Sequence, residues 1–291
     1  MKQYFLSTLS LLLLLSMSFS HSAVQSVVKK PYQQTRYSMQ NKAIVESSGL
    51  ACSTRDKHLL WTHNDSGHMP IIYVLSDTGE DLGSWFLDGV ESIDWEDMDA
   101  FEYQGRHYLL VADSGDNFRM LWEHRISIIE EPLPSAESRS TLTPAWTVRY
   151  QFEDGLSYDV EAVAVDTLRD KIVLLSKRHK PTLMFELALK PASPEQLQTA
   201  VKTGELPQIV HPSALDFSSD GRIMSINTYR RIHRFVRVRD KSTGRYKWRY
   251  QYSLKYNKMH QPEAMCLSRN NKNYYITSEK SLDLLKVRVT D

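Results

Sequence analysis

The chain has 291 residues, with 36 Lys and Arg against 35 Asp and Glu and a formal net charge of +1. That balance gives no general drive toward nucleic acid or anionic membranes, although local patches can still provide one. No low-complexity linker divides the sequence, so the length suits one large domain after a leader.

Lys2 and the apolar run Leu9 to Leu15, continued through Met17 and Phe19, read as a secretory signal peptide over 1–22. The run is short of the ~20 apolar residues a membrane span needs. Ser18, Ser20 and Ser22 place cleavage near Ser20 to Ala23, and no cysteine stands there to take a lipid. The mature protein is expected to be soluble, periplasmic or secreted, with a single domain over 33–291. Losing the leader removes Lys2 and no acid, so the remaining cations match the 35 anions.

A five-residue signature then recurs five times: Glu46-Ser47-Ser48-Gly49-Leu50, Asp94-Trp95-Glu96-Asp97-Met98, Asp159-Val160-Glu161-Ala162-Val163, His211-Pro212-Ser213-Ala214-Leu215 and Gln261-Pro262-Glu263-Ala264-Met265. Its starts lie 48, 65, 52 and 50 residues apart. A period near 50 with four short strands per unit marks a β-propeller, whose blades bury their faces only against neighbouring blades.

Alternation and turn residues predict strands over 49–53, 59–62, 71–76 and 83–87 in the first unit, and over 98–103, 108–112, 125–129 and 145–152 in the second. A Pro- and Ser-rich insertion, Glu130 to Pro144, explains the long spacing. The third unit gives 162–166, 172–176 and 183–189. Ser193-Pro194-Glu195-Gln196 then has the form of a capping box and predicts a short helix before a poorly defined outer strand. The fourth gives 214–217, 223–226, 232–238 and 246–254; the fifth gives 264–268, 274–277 and 284–289 and lacks an outer strand. Gln33 to Ala43 is strand-like and can supply it, closing the ring and covering the sheet edge. The expected fold is an all-β, five-bladed propeller closed by its N-terminal strand, with a six-bladed ring as the alternative.

Cys52 and Cys266 fall on equivalent first strands with opposite parity. Two readings follow: a disulfide across the seam of the ring, or two small buried residues. The segment Tyr229 to Lys258 is strongly basic, with Asp240 its only acid. Arg245, Lys247 and Arg249 alternate with Tyr246, Trp248 and Tyr250. This is either a polyanion-binding rim patch or, as we favour, an outer strand with one face packed and one solvated.

In a propeller blade the first strand leaves the face where it begins and the second returns to it. One tunnel mouth therefore collects Glu46, Asp94, Glu96, Asp97, Asp159, Glu161 and Glu263, joined by His63-Asn64-Asp65-Ser66-Gly67, Asp113-Ser114-Gly115-Asp116-Asn117, Lys177, Asn227 and Glu279. Crowded carboxylates repel unless a cation sits among them or their protons stay on. Oxygen ligands without a His and Cys set point to a hard cation, calcium before magnesium or manganese. The ligand candidates are Glu46, Asn64, Asp65, Glu96, Asp97, Asp113, Glu161 and Glu263. The competing reading has these acids capping turns and pairing with Lys177, Arg178 or Lys280. His63 and Glu161 are the candidates for acid–base chemistry, with His179 and His211 behind them. Ser47 and Ser48 lack a nucleophile-elbow setting.

The stretches Leu60-Trp61-Thr62-His63-Asn64-Asp65-Ser66-Gly67, Asp94-Trp95-Glu96-Asp97-Met98 and Ala112-Asp113-Ser114-Gly115-Asp116-Asn117 resemble a group of secreted bacterial β-propeller proteins of undefined activity. The resemblance extends through Asp159-Val160-Glu161-Ala162 and Gln261-Pro262-Glu263-Ala264, covers most of the mature chain, and implies a propeller with an acidic central face. More distantly, the Glu-Ala and Glu-Asp signatures are similar to those of calcium-dependent propeller hydrolases acting on phosphate esters or lactones. The fourth copy carries Ser213 where the second, third and fifth carry Glu, so a metal site need not be symmetric. The expected function is a monomeric, calcium-binding module for a small-molecule or protein ligand. A calcium-dependent hydrolase of phosphate esters or lactones is the alternative, and a scaffold acting through its rim is a third reading.

Overall fold

The computed structural model describes residues 31–134 and 140–290, so the expected leader lies outside the described residues. Within them the protein is all-β, without a helix. The strands are β1 (Tyr32–Ser38), β2 (Ser47–Cys52), β3 (Leu59–Asn64), β4 (Ile71–Ser76), β5 (Asp81–Leu87), β6 (Trp95–Tyr103), β7 (Arg106–Asp113), β8 (His124–Glu130), β9 (Thr141–Leu142), β10 (Trp146–Phe152) and β11 (Val160–Asp166). They continue with β12 (Lys171–Ser176), β13 (Thr182–Ala188), β14 (Leu197–Leu206), β15 (Pro212–Phe217), β16 (Ile223–Thr228), β17 (Arg231–Arg239), β18 (Tyr246–Lys255), β19 (Ala264–Leu267), β20 (Asn273–Thr277) and β21 (Asp283–Val289).

Strands pair in successive antiparallel sets of four: β2-β3-β4-β5, β6-β7-β8-β10, β11-β12-β13-β14, β15-β16-β17-β18, and β19-β20-β21 completed by β1. The second and third sets form one eight-stranded sheet because β10 and β14 pair in parallel from Arg149↔Leu197 to Phe152↔Ala200. The N-terminal segment lends its strand over Tyr32–Ser38, in register from Tyr32↔Val289 to Ser38↔Asp283.

First strands are buried on both faces: every residue of β11 and β15 is buried. That is why Val160–Asp166 and Pro212–Phe217 read as small and apolar runs rather than strict alternation. β2 packs against β6, β6 against β11, β11 against β15, β15 against β19 and β19 against β2, a closed cycle. Apolar clusters fill each gap between neighbouring sets. Trp61, Ile72 and Trp85 of the first meet Trp95, Met98 and Leu109 of the second. Tyr150 and Phe152 meet Val163 and Phe185, Leu175 meets Phe235, Tyr252 meets Tyr274, and Tyr275 meets Leu60. Neither face of any set is left without a partner to bury its apolar side chains, which is the main stabilising term.

Cys52 at the end of β2 is bonded to Cys266 in β19, with Cα atoms 5.5 Å apart across a sequence separation of 214 residues. The bond spans the junction where the cycle closes.

Two local expectations are corrected. Ser193 to Gln196 is a turn closed by the Gln196 N–H on the Ser193 carbonyl (3.1 Å), not a helix. The strand after it has partners on both edges, β13 and β10, and that pairing outweighs the local capping signal. Within the 130–144 insertion, β9 pairs in parallel with the edge of β5. In the basic segment, Trp248 and Tyr250 pack inward while Lys247 and Arg249 are exposed, with Lys247 paired to Asp240 at 2.8 Å. Tyr246, expected to pack, is exposed.

Candidate functional site

The third position of the signature is a repeated backbone irregularity. The β2–β3 register shifts between Ser47 and Gly49, β6–β7 between Trp95 and Asp97, β11–β12 between Val160 and Ala162, and β15–β16 between Pro212 and Ala214. Each shift leaves one extra residue: Ser48, Glu96, Glu161 and Ser213. A bulge of this kind bends the strand and re-aims its side chain. Glu263 holds the same signature position immediately before β19.

Two carboxylate groups result, Asp65–Asp94–Glu96 and Glu96–Asp159–Glu161, each with oxygens within 4.8 Å of one another and with Glu96 shared. Asp65 follows the second strand of the first set, so two neighbouring sets build the first group; the second group joins the second and third sets. Gly115 lies beside the first group: a Cβ there would stand 2.4 Å from both Asp94 Oδ2 and Glu96 Oε1. The glycine is required by space next to the carboxylates, not by a left-handed backbone. Such a cluster of hard oxygen donors can hold a cation.

The cations already present fall unevenly. Lys177 pairs with Glu161 and lies 3.9 Å from Glu263 Oε2, and Arg178 Nε donates to Asp159 Oδ2 at 2.5 Å. No ion pair reaches Asp65, Asp94 or Glu96 among the described residues. Burial drives Glu96 well above the carboxylate range, with the charges of Asp65 and Asp94 adding to it. Asp94 is raised to about 6 by burial and then by Asp65 and Asp159, and Glu279 to about 7 by burial and then by Glu263. Asp65 and Glu263 rise for the same leading reason. Glu263 is 5% exposed and its Oε2 has no hydrogen-bond partner.

Other residues named from the sequence lie elsewhere or brace the site. Asn64 spends its amide on the backbone, accepting the N–H groups of Val45 (3.0 Å) and Glu46 (3.1 Å) and donating to Ala43 O (2.8 Å). Asp113 accepts the Asp94 N–H at 2.7 Å and so positions that residue from behind. Glu46 stands at the edge, 3.7 Å from His68. His63 is fully buried, its nitrogens 3.0 and 3.4 Å from the carbonyl oxygens of Asn64 and Asp97, and its ring edge-on to Trp95. Burial pushes it down to about 4, so it packs as a neutral ring and has no solvent-facing nitrogen for acid–base work. His179 packs against Tyr158, and His211 occupies a left-handed backbone position with φ 52°. Tyr229 was not foreseen; it is hydrogen-bonded to Glu263 and sits under Lys177. Its position directly after a second strand, equivalent to Asp65 and Lys177, was the available signal.

Asp97 also leaves the cation group, because the bulge at Glu96 turns consecutive residues to different places. It accepts the backbone N–H groups of Met98 (2.9 Å), Val163 (2.8 Å) and Leu215 (3.0 Å), tying β6 to β11 and β15. Asp99 takes the Val165 N–H at 2.8 Å, and Asp216 the Leu267 N–H at 2.5 Å. Asp99 and Asp216 line a cavity of about 300 Å³ together with Cys52 and Arg269.

These shifts fix a pH dependence. Burial raises Asp99 and Glu279 to about 7 in the folded state, against an unfolded value near 4, so the stability they contribute is complete below ~4 and lost as pH rises through 7. His63 and His233, lowered to about 4, act oppositely but only below their unfolded value of ~6.5. Metal-free protein is therefore expected to melt at lower temperature as pH rises from 6.5 to about 7.5, with these two groups adding little further change above that, measured by circular dichroism in chelator. A flat or rising melting temperature over that window would contradict these assignments.

No protein-family model matches the chain, and no curated protein matches it. Among solved structures it is similar to a protein from Bacteroides uniformis provisionally named a 6-phosphogluconolactonase, at 14% identity and a TM-score of 0.42, over 84% of this chain and 68% of that one. It is similar also to a functionally unknown protein from Desulfotomaculum acetoxidans, at 12% identity and a TM-score of 0.42, over 84% of this chain and 70% of that one. At these values neither likeness bears on the chemistry.

Proposed function

We propose that this chain is a five-bladed β-propeller of the secreted bacterial kind its motifs resemble, and that its acidic face binds calcium as part of a ligand- or partner-binding module. The closed cycle of first strands, the five apolar interfaces between sets and the strand lent by the N-terminus support the propeller. The observation that carries the cation reading is the pair of carboxylate groups sharing Glu96, with Gly115 letting the Asp94 and Glu96 oxygens of one group close in on the backbone. Three carboxylates with no nitrogen or sulfur donor favour a hard cation, and calcium tolerates the irregular geometry better than magnesium. When bound, calcium would fix and polarise an oxygen of the ligand. The chain's own acids would hold the ion and exclude other anions.

A binding role is supported by the rim. Phe118, Met120 and Trp122, at 86%, 81% and 71% exposure, project from the β7–β8 loop that also carries Gly115. Met69, Ile93 and Leu156 are exposed in other loops at the same ends of the strands. Apolar side chains around a polar centre are the usual anatomy of a ligand site. Secretion is supported by the leader-like residues 1–22 and by the disulfide. No helix among the described residues is long and apolar enough to cross a membrane.

Hydrolysis of phosphate esters or lactones is the second reading, favoured by Glu279, whose carboxyl near 7 could exchange a proton at neutral pH beside the cluster. Metal analysis of the purified protein tests the first reading, and a screen of phosphoesters and lactones with and without calcium separates the two. Calcium content without turnover is the expected result; calcium-dependent turnover that falls at least tenfold in Glu279→Gln would favour the hydrolase. A protein free of metal and indifferent to calcium would contradict both.

A further inference from the structure

The basic segment from Tyr229 to Lys258 sorts into cations that are occupied and cations that are not. Arg231 Nη1 donates to Ser253 Oγ at 2.9 Å, Arg234 Nη1 to Tyr274 Oη at 3.1 Å, and Arg237 pairs with Asp166 at 2.5 Å. Arg230, Lys255 and Lys258 are exposed, and among the described residues their side chains have no ion pair and no hydrogen bond. These three line one cavity of about 450 Å³, and no acid lines it with them. Tyr256, Met259 and Pro262, all buried, supply an apolar floor. The backbone that carries the two lysines is held from β1. Tyr32 Oη donates to the Lys255 carbonyl, Gln34 Oε1 accepts the Asn257 N–H at 2.7 Å, and Arg36 Nη2 donates to the Lys258 carbonyl at 2.9 Å. Tyr32, Gln34 and Arg36 alternate along the strand, so one side of β1 fixes this stretch.

We infer that this cavity binds the acidic end of a small organic dianion, with Arg230, Lys255 and Lys258 as its counter-charges. Three like charges around one opening repel one another, and a dianion among them turns that repulsion into attraction. The Arg230 guanidinium offers a fork of donors that matches a phosphate or a carboxylate, and the two lysines add point charges. A concave site with an apolar floor suits a small molecule with an apolar body better than a polymer laid along a flat basic stripe, and its volume falls within the ~300–1,000 Å³ usual for such ligands. Tyr229 and Gln261 form the wall shared with the acidic face: Tyr229 is hydrogen-bonded to Glu263, and Gln261 Nε2 donates to Glu279 Oε2 at 3.2 Å. A ligand seated here turns its charge toward the three cations and its neutral end toward the acids. The inference rests on the ligand-binding reading, to which it gives a ligand class, and it needs no metal.

The test is isothermal titration of the purified protein, in chelator and at low ionic strength, with phenyl phosphate and phthalate as dianionic probes and phenol as the neutral control. At least one dianion is expected to bind in the submillimolar range, at least tenfold tighter than phenol, and the tighter of the two names the acid group. Arg230→Gln/Lys255→Gln/Lys258→Gln is expected to lose at least tenfold in affinity. Arg245→Gln/Lys247→Gln/Arg249→Gln, which removes the same charge from the other end of β18, is expected to change it less than threefold. Equal losses in the two triple variants would mean that net charge attracts the probe, and would overturn the assignment to this cavity. Should the first triple variant not fold, Arg230→Gln alone decides, with a loss of at least threefold expected and an unchanged affinity overturning the inference. Retention on phosphatidic acid vesicles without binding of either soluble dianion would overturn the small-ligand reading in favour of a membrane surface. A protein that binds neither dianion nor vesicle overturns this inference alone, because calcium content and turnover are measured separately.

Discussion

Reducing the disulfide, or replacing both partners by Cys52→Ser/Cys266→Ser, is expected to cost about 5 kcal/mol of unfolding free energy on the chain-entropy account of so long a loop. The bond closes 214 residues of sequence, so the unfolded chain it constrains is almost the whole domain. In the folded state it joins β2 to β19, the one junction in the cycle where the chain does not run directly from one set to the next. The strand β1 holds the same junction through seven register pairs with β21, which is why the variant is expected to fold rather than open. Urea unfolding with and without reductant measures the change. A midpoint that reductant does not move would mean that strand pairing alone closes the junction.

The second large effect is expected at Asp97. Its carboxylate accepts three backbone N–H groups, two of them from other sets of strands, with no water needed to complete the arrangement. Asp97→Ala leaves those donors buried and unpaired, at ~1–3 kcal/mol each for the two cross-strand groups, so a loss of about 3 kcal/mol is expected after the gain from removing a desolvated acid. Asp97→Asn should be milder, because both cross-strand donors share Oδ2 and a correctly oriented amide oxygen can serve them. Denaturant unfolding of the two variants checks the order. An Asp97→Ala protein within 1 kcal/mol of wild type would remove Asp97 from its structural role.

The strands were legible because alternation and a recurring signature report burial directly. Ile71–Ser76 falls where its pattern predicts, and the N-terminal strand was inferred from a unit that lacked one. What could not be read was the fate of adjacent residues within a signature. Glu96 and Asp97 look equivalent in sequence, yet a bulge at Glu96 sends one to the shared cluster and the other into a backbone network. Asn64 and Asp113 are good oxygen donors by type, but their hydrogen bonds to neighbouring N–H groups consume them, a competition that depends on loop geometry. The misplaced helix at Ser193 has a similar origin: a local capping signal lost to long-range pairing of Leu197–Leu206 on both edges.

The proposed cation site is built by two neighbouring sets of strands, from Asp65 of the first and Asp94 and Glu96 of the second. It is tested most directly by the melting temperature of chelator-stripped protein at pH 7.5 across a calcium titration, with magnesium in parallel. The account predicts a saturable rise with calcium that is abolished in Asp94→Asn, since an ion bound only by the folded state stabilises it in proportion to the logarithm of its concentration. A melting temperature unmoved by millimolar calcium, in protein that carries no metal, would contradict it.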